Sequence, residues 1–125
     1  MGHKYFLILG AVNAFLAVGL GAFGAHGLKA RLSADMLGVY QTGVQYHFYH
    51  ALGLLLVGML VSQWPTVDLI KIAGWVMFAG IVIFSGSLYL LSITDIRWLG
   101  AITPIGGLAF LVAWLLLVVA FIRLP

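Results

Sequence analysis

The sequence predicts an all-α integral membrane protein: four transmembrane helices in an antiparallel bundle. Hydrophobic residues make up 64% of the chain and charged residues only 7%, against about 45–50% and about 25% in soluble domains. Mean hydropathy is +1.18. Charged residues also bracket four apolar stretches of about twenty residues each, the length of helix that crosses a hydrocarbon layer of about 30 Å. Six basic and three acidic side chains cannot coat a water-soluble domain of 125 residues. Disorder is excluded because its signature is low hydrophobicity with high charge. With no cysteine in the chain, disulfides and thiolate chemistry are absent. The net charge of +3 is scattered along the loops and forms no nucleic-acid-binding patch. Four spans leave room for one domain, 1–125, and no soluble appendage.

The first helix is expected over residues 5–27, between Lys4 and Lys29. Its apolar run exceeds the roughly 7–15 residues of a signal-peptide core, so it is read as a retained helix. Gly10, Ala14, Ala17, Gly21 and Gly24 recur at spacings of four and three along one face. Helices in lipid associate by close backbone approach, which small residues permit. The stripe is therefore read as a helix–helix seam, with Asn13 beside it hydrogen-bonded to a neighbouring helix.

The second helix is expected over 34–63, from a Ser33 N-cap with Asp35 in its first turn to a stop at Trp64-Pro65. Its first half is polar around most of its girth. At about 100° per residue, Tyr40, Gly43, His47 and His50 share one arc, and Gln41, Thr42, Gln45, Tyr46 and Tyr49 share a second. Only Leu37, Val44, Phe48 and Ala51 form an apolar stripe. Such a helix must be enclosed by its neighbours or meet water, so it is expected to enter the membrane around His47 to His50.

The third helix is expected over 71–92. The fourth is expected over 104–123, with Thr103 as N-cap and Pro104 at the first helical position, where its missing N–H is harmless. Residues 96–102 then form a short lead-in, and Gly106-Gly107 permits another backbone to approach. Trp64, Trp75 and Trp98 suit interfacial belts, and Trp114 suits the core or the lipid face.

All three acids, Asp35, Asp68 and Asp95, fall in or beside connections. The absence of a mid-membrane carboxylate argues against a proton-coupled exporter. The candidate site is a polar cluster of His26, His47, His50, Ser87, Tyr89 and Thr103 near one membrane face. Imidazoles can ligate metal or haem, but no carboxylate or thiolate accompanies them. The favoured reading is that they bridge helices through hydrogen bonds to Gln45, Tyr46, Tyr89 or backbone carbonyls, so no metal and no cofactor is expected. Gly-x-Ser-x-Gly does not occur and no acid–base pair falls within the spans, so the protein is not expected to be an enzyme.

Four ordered motifs run through the chain: Gly21-Ala22-Phe23-Gly24-Ala25-His26-Gly27, then Thr42-Gly43 with Tyr46-His47-Phe48-Tyr49-His50, then Phe84-Ser85-Gly86-Ser87-Leu88-Tyr89, then Thr103-Pro104-Ile105-Gly106-Gly107. In these the chain resembles the family called domain of unknown function 423, small bacterial membrane proteins related to the transmembrane protein 256 family of eukaryotes. His26 and His50 match the family pattern more firmly than His47. The resemblance implies a four-helix protein of the bacterial cytoplasmic (inner) membrane, and it supplies no activity, substrate or cofactor. Basic residues tie three against three across the membrane, and the resemblance leans toward both termini inside.

Two functions follow from these residues. One is a small binding or transport-type module whose polar cluster receives a lipid headgroup or small solute; the other is a structural or accessory protein whose cluster only locks helix packing. Membrane lipids are the expected partners. The small-residue stripe is read as an internal seam, with homo-oligomerisation as its alternative. Replacing Gly21 with Leu separates them: the seam predicts loss of folded protein in detergent, whereas an external stripe predicts a folded monomer in place of an oligomer, read by size-exclusion chromatography.

Overall fold

The structure, a computed structural model, describes residues 2–125. Four helices are long and apolar enough to cross a membrane, and no strand occurs among the described residues. Helix α1 (Gly2–Leu28), α2 (Ala34–Gln63) and α3 (Asp68–Thr94) are joined by short turns. A 3-10 turn, Arg97–Ala101, leads into α4 (Thr103–Arg123). The chain is an all-α integral membrane protein.

Helix ends follow local chemistry. The Ser33 side chain accepts the Met36 amide at 3.2 Å and caps α2, with Asp35 in its first turn. Helix α3 begins at Asp68, three residues before the sequence expectation, because an aspartate suits the positive end of a helix. It ends at Asp95, whose φ of 56° lies in the left-handed region. Asp95 also pairs with Arg97 at 2.9 Å on the exposed surface. At α4 the expected cap is shifted: Thr103 is already helical, its hydroxyl caps nothing, and Ile102 occupies the N-cap position.

Helix α2 is the central element. Helices α1 and α3 pack on adjacent faces of it, both meeting Tyr40 and His47, and α4 packs chiefly on α3. Glycines set the distances. A Cβ at Gly10 would lie 2.8 Å from the Leu55 amide nitrogen and 2.9 Å from the Ala51 carbonyl oxygen. Backbones this close leave no room for a side chain. The stripe of α1 faces α2 here: Gly24 abuts the Tyr40 ring and Gly21 abuts Val44. Between α3 and α4 the backbones meet at Gly106, where a Cβ would clash with the Phe84 amide nitrogen. Phe84 sits in a π-helical turn, Ile81–Ser85, and a second π turn, Gly24–Leu28, ends α1. Such turns insert an extra residue and widen the helix locally.

The apolar core joins α2, α3 and α4, with Leu54, Val57, Ile70, Met77 and Ala113 fully buried and Phe6 of α1 added at one end. Outward-facing Phe15, Val18, Leu111, Leu115 and Ile122 remain exposed, as expected of side chains that meet lipid.

Gly106→Ala should destabilise the fold by about 1–3 kcal/mol through overpacking against α3. Gly86→Ala, with nothing within 4 Å of its Cβ, should be neutral or stabilise by up to about 1 kcal/mol. Unfolding in graded SDS–detergent micelles measures both.

Candidate functional site

The second half of the Tyr40–His50 arc carries most of the interhelical polar chemistry. His47 and His50 are both buried, at 4% and 5% exposure, near the midpoint of the 30-residue α2. Both lie on the arc of α2 that faces the other helices. Helix α2 runs unbroken from Ala34, as expected, and within its polar first half one arc packs against the other helices while the second stays exposed.

His47 joins three helices. The Asn13 amide nitrogen donates to the Leu9 carbonyl at 2.8 Å, which turns its Oδ1 toward α2. His47 Nε2 therefore donates to Asn13 Oδ1 at 2.9 Å, and Nδ1 accepts the Tyr89 hydroxyl of α3 at 2.8 Å. Each atom has a single consistent role, and the ring is the neutral Nε2–H tautomer.

His50 uses its ring in the opposite sense. Nδ1 donates to the Tyr46 carbonyl at 2.7 Å, and Nε2 accepts the indole N–H of Trp114 in α4 at 3.1 Å. Its ring stacks on Phe110 with centroids 3.5 Å apart and planes 7° from parallel. Both nitrogens are engaged, so neither offers a ligand to a metal, and no group of three His, Asp or Glu among the described residues is placed to hold one.

Serine hydroxyls complete the network. Ser85 donates to the Gly43 carbonyl across the α2–α3 interface at 2.8 Å. Ser87 lies 2.9 Å from the Phe84 carbonyl and 2.6 Å from Thr103 Oγ1. Ser87 thus donates to the carbonyl, and Thr103 donates to Ser87. Tyr40 donates to the Leu20 carbonyl of α1 at 2.5 Å. Among the described residues, no buried side-chain polar atom lacks a partner.

Of the expected cluster, the structure links His47 directly to Tyr89 and links Ser87 to Thr103; His50 stands one turn along on the α4 side. His26 stays outside. It is exposed in the π turn, because Gly24 faces Tyr40 and a residue two positions later points away from α2. Asn13 finds a neighbouring helix, while Tyr40, Ser85, Phe110 and Trp114 were absent from the expected cluster. Trp114 is exposed on the outside of the bundle, within the expected reading, and also donates a hydrogen bond to His50. Spacing along one helix could have flagged Tyr40, which shares the histidine arc; nothing in the sequence pairs Trp114 with His50, 64 positions away.

The second polar arc of α2 is not enclosed. Gln41, Gln45, Tyr46 and Tyr49 are exposed, with Gln45 donating to the Tyr49 hydroxyl at 2.7 Å. Where this arc turns toward α4, a cleft of about 670 Å³ opens between the two helices. Tyr46, His50, Phe84, Phe110 and Trp114 form an aromatic wall, and Pro104, Gly107 and Leu111 of α4 help to line it. Thr42 and Tyr46 mark its end nearer the start of α2. The Thr42 hydroxyl donates to the Gly38 carbonyl at 3.0 Å, whereas the Tyr46 hydroxyl makes no hydrogen bond within the described residues. No charged residue lines the cleft.

Residues 20–107 match the family Protein of unknown function (DUF423). The chain belongs to this family. It is 58% identical over 120 residues to UPF0382 membrane protein YwdK of Bacillus subtilis, covering 96% of this chain and 98% of that one. A UPF0382 membrane protein of Staphylococcus epidermidis is 52% identical over 120 residues, covering 96% and 97%. No solved structure matches. The matched segment of this DUF423 protein contains Tyr40, His47, His50, Ser85, Tyr89 and Gly106 but leaves out Asn13 and Trp114, which supply the partners of the two histidines.

A double-mutant cycle with Asn13→Ala and His47→Ala should return a coupling energy of about 0.6–1.7 kcal/mol, the range for hydrogen bonds between membrane helices. SDS-induced unfolding of the four proteins measures it.

Proposed function

We propose that this protein is a small binding module that holds a neutral amphiphile, a lipid or small solute, in the cleft between α2 and α4. The observation that carries this reading is the cleft itself: about 670 Å³, within the roughly 300–1,000 Å³ typical of ligand sites. Its lining also suits an amphiphile. Tyr46 offers a free O–H at one end, and His50, Phe110 and Trp114 offer an apolar, aromatic surface deeper in the bundle. With no charge in the lining, a resident charged headgroup would be desolvated without a partner. The polar network of His47 is then the lock that holds the cleft's rear wall, and His50 shapes the cleft by stacking. We propose binding without catalysis, since both nitrogens of His50 are spent on Tyr46 and Trp114. Helical bundles rather than barrels populate the bacterial cytoplasmic membrane, and that is the location we propose.

One observation favours the second reading, an accessory protein whose polar residues only lock packing: every buried side-chain polar atom among the described residues is satisfied. Gly107→Leu separates the two. A Cβ at Gly107 meets nothing closer than the Phe84 ring at 3.8 Å, and Gly107 lines the cleft, so a larger side chain there takes up cleft space. Native mass spectrometry of protein released from membranes should show an amphiphile on the wild type and none on Gly107→Leu at equal stability. A wild type that carries no adduct favours the accessory reading.

A further inference from the structure

The outer ridge of α2, between α1 and the cleft, bears a set of side chains that the binding reading does not use. Gln45, Tyr49, Leu52, Leu56 and Met59 follow one another at spacings of four, three, four and three, and all are exposed. That repeat of about 3.5 residues is the geometry of a seam between two α-helices in a left-handed supercoil. Its lower part is aliphatic and suits lipid equally well. Its upper part does not.

Gln45 Nε2 donates to the Tyr49 hydroxyl at 2.7 Å. This leaves one acceptor, Gln45 Oε1, and two donors, the second Gln45 Nε2–H and the Tyr49 O–H proton, without partners among the described residues. Counting about 1.5 Å per residue back from Trp64 over a hydrocarbon layer of about 30 Å places Gln45 just inside the apolar layer and Tyr49 deeper. At the depth of Tyr49 a hydroxyl proton gains more from a protein partner than from lipid. The hydroxyl proton and the amide oxygen are self-complementary: across a two-fold axis, the Tyr49 hydroxyl of each copy can donate to Gln45 Oε1 of the other. Two reciprocal hydrogen bonds would pair the hydroxyl proton and the amide oxygen of both copies, which is the isologous contact that two-fold symmetry demands. Beside the ridge, Ala17, Gly21 and Ala22 of α1 leave a shallow groove of about 340 Å³ that reaches Gln45 and Tyr49. Small side chains there let a second helix approach.

We propose that the outer ridge of α2 is a homodimer interface, formed with a second copy of this chain in the same orientation, and that the Gln45–Tyr49 pair specifies it. Gly10 and Gly24 of the α1 stripe are spent on α2, so this surface centres on α2 rather than on the stripe and only borders it at Ala17 and Gly21.

The chain has no cysteine, so single cysteines report proximity directly. In liposomes, oxidised Leu52→Cys should form a disulfide-linked dimer, while Leu115→Cys on the outer face of α4 should stay monomeric. Fluorescence energy transfer between labelled copies, titrated by dilution into lipid, should show a dissociation constant raised roughly ten-fold by Gln45→Leu and by Tyr49→Phe, the effect of losing symmetric bonds of about 0.6–1 kcal/mol each. SDS unfolding should be unchanged in these variants, because the His47 network is untouched. Absence of the Leu52→Cys dimer, or a dissociation constant indifferent to both substitutions, overturns the proposal.

Discussion

His47 is held by Asn13 of α1 on one side and Tyr89 of α3 on the other, close to the middle of the bundle. Hydrogen bonds have direction, and apolar contacts between lipid-compatible surfaces do not. Because the hydrophobic effect gives little preference for one rotation of a membrane helix over another, this bonded chain sets the rotation of α1 and α3 about α2. Asn13 is itself oriented by the Leu9 carbonyl, so the chain is anchored in backbone at one end. Ser85, donating to the Gly43 carbonyl, repeats the same device one turn away.

The hydrogen bonds require helices that approach closely, and glycine supplies the distance. Gly10 lets α1 meet α2 backbone to backbone, Gly24 makes room for the Tyr40 ring, and Gly43 makes room for Tyr89 and Leu88. Gly106 brings α4 against the π turn of α3. That contact places Phe84 between Tyr46 and Phe110, ring centroids 5.0 Å and 5.4 Å away. The wall of the cleft is therefore a consequence of one glycine and one irregular turn.

Helix α2 uses its circumference for distinct tasks. One arc, Tyr40 to His50, is buried and bonds to α1, α3 and α4. A neighbouring strip, Thr42 and Tyr46, opens on the cleft. The outermost ridge, from Gln45 to Met59, meets the surroundings. A helix with this much polarity survives in a membrane because most of its polar atoms are paired within the bundle, and those that remain mark the two surfaces where a ligand and a second copy are proposed to bind.

The four spans, the Ser33 cap and the stop at Trp64-Pro65 were legible in the chain, because length, charge placement and capping chemistry are local properties. So was the shared arc of Tyr40, Gly43, His47 and His50, which needs only the helical repeat. Asn13 could be assigned a neighbouring helix, since an amide in lipid requires one, but not which residue it meets. The π turns, the rotation that leaves His26 outside, and the shift of the α4 cap to Ile102 arise where helices press on one another. The pairing of Trp114 with His50 and the cleft beside them exist only once α4 has docked on α3, because both depend on side chains far apart in the chain. Sequence by itself determined which segments span the membrane and which faces are polar, through periodicity; tertiary structure decided which polar atoms pair and where a gap remains, because those are properties of the distances between helices.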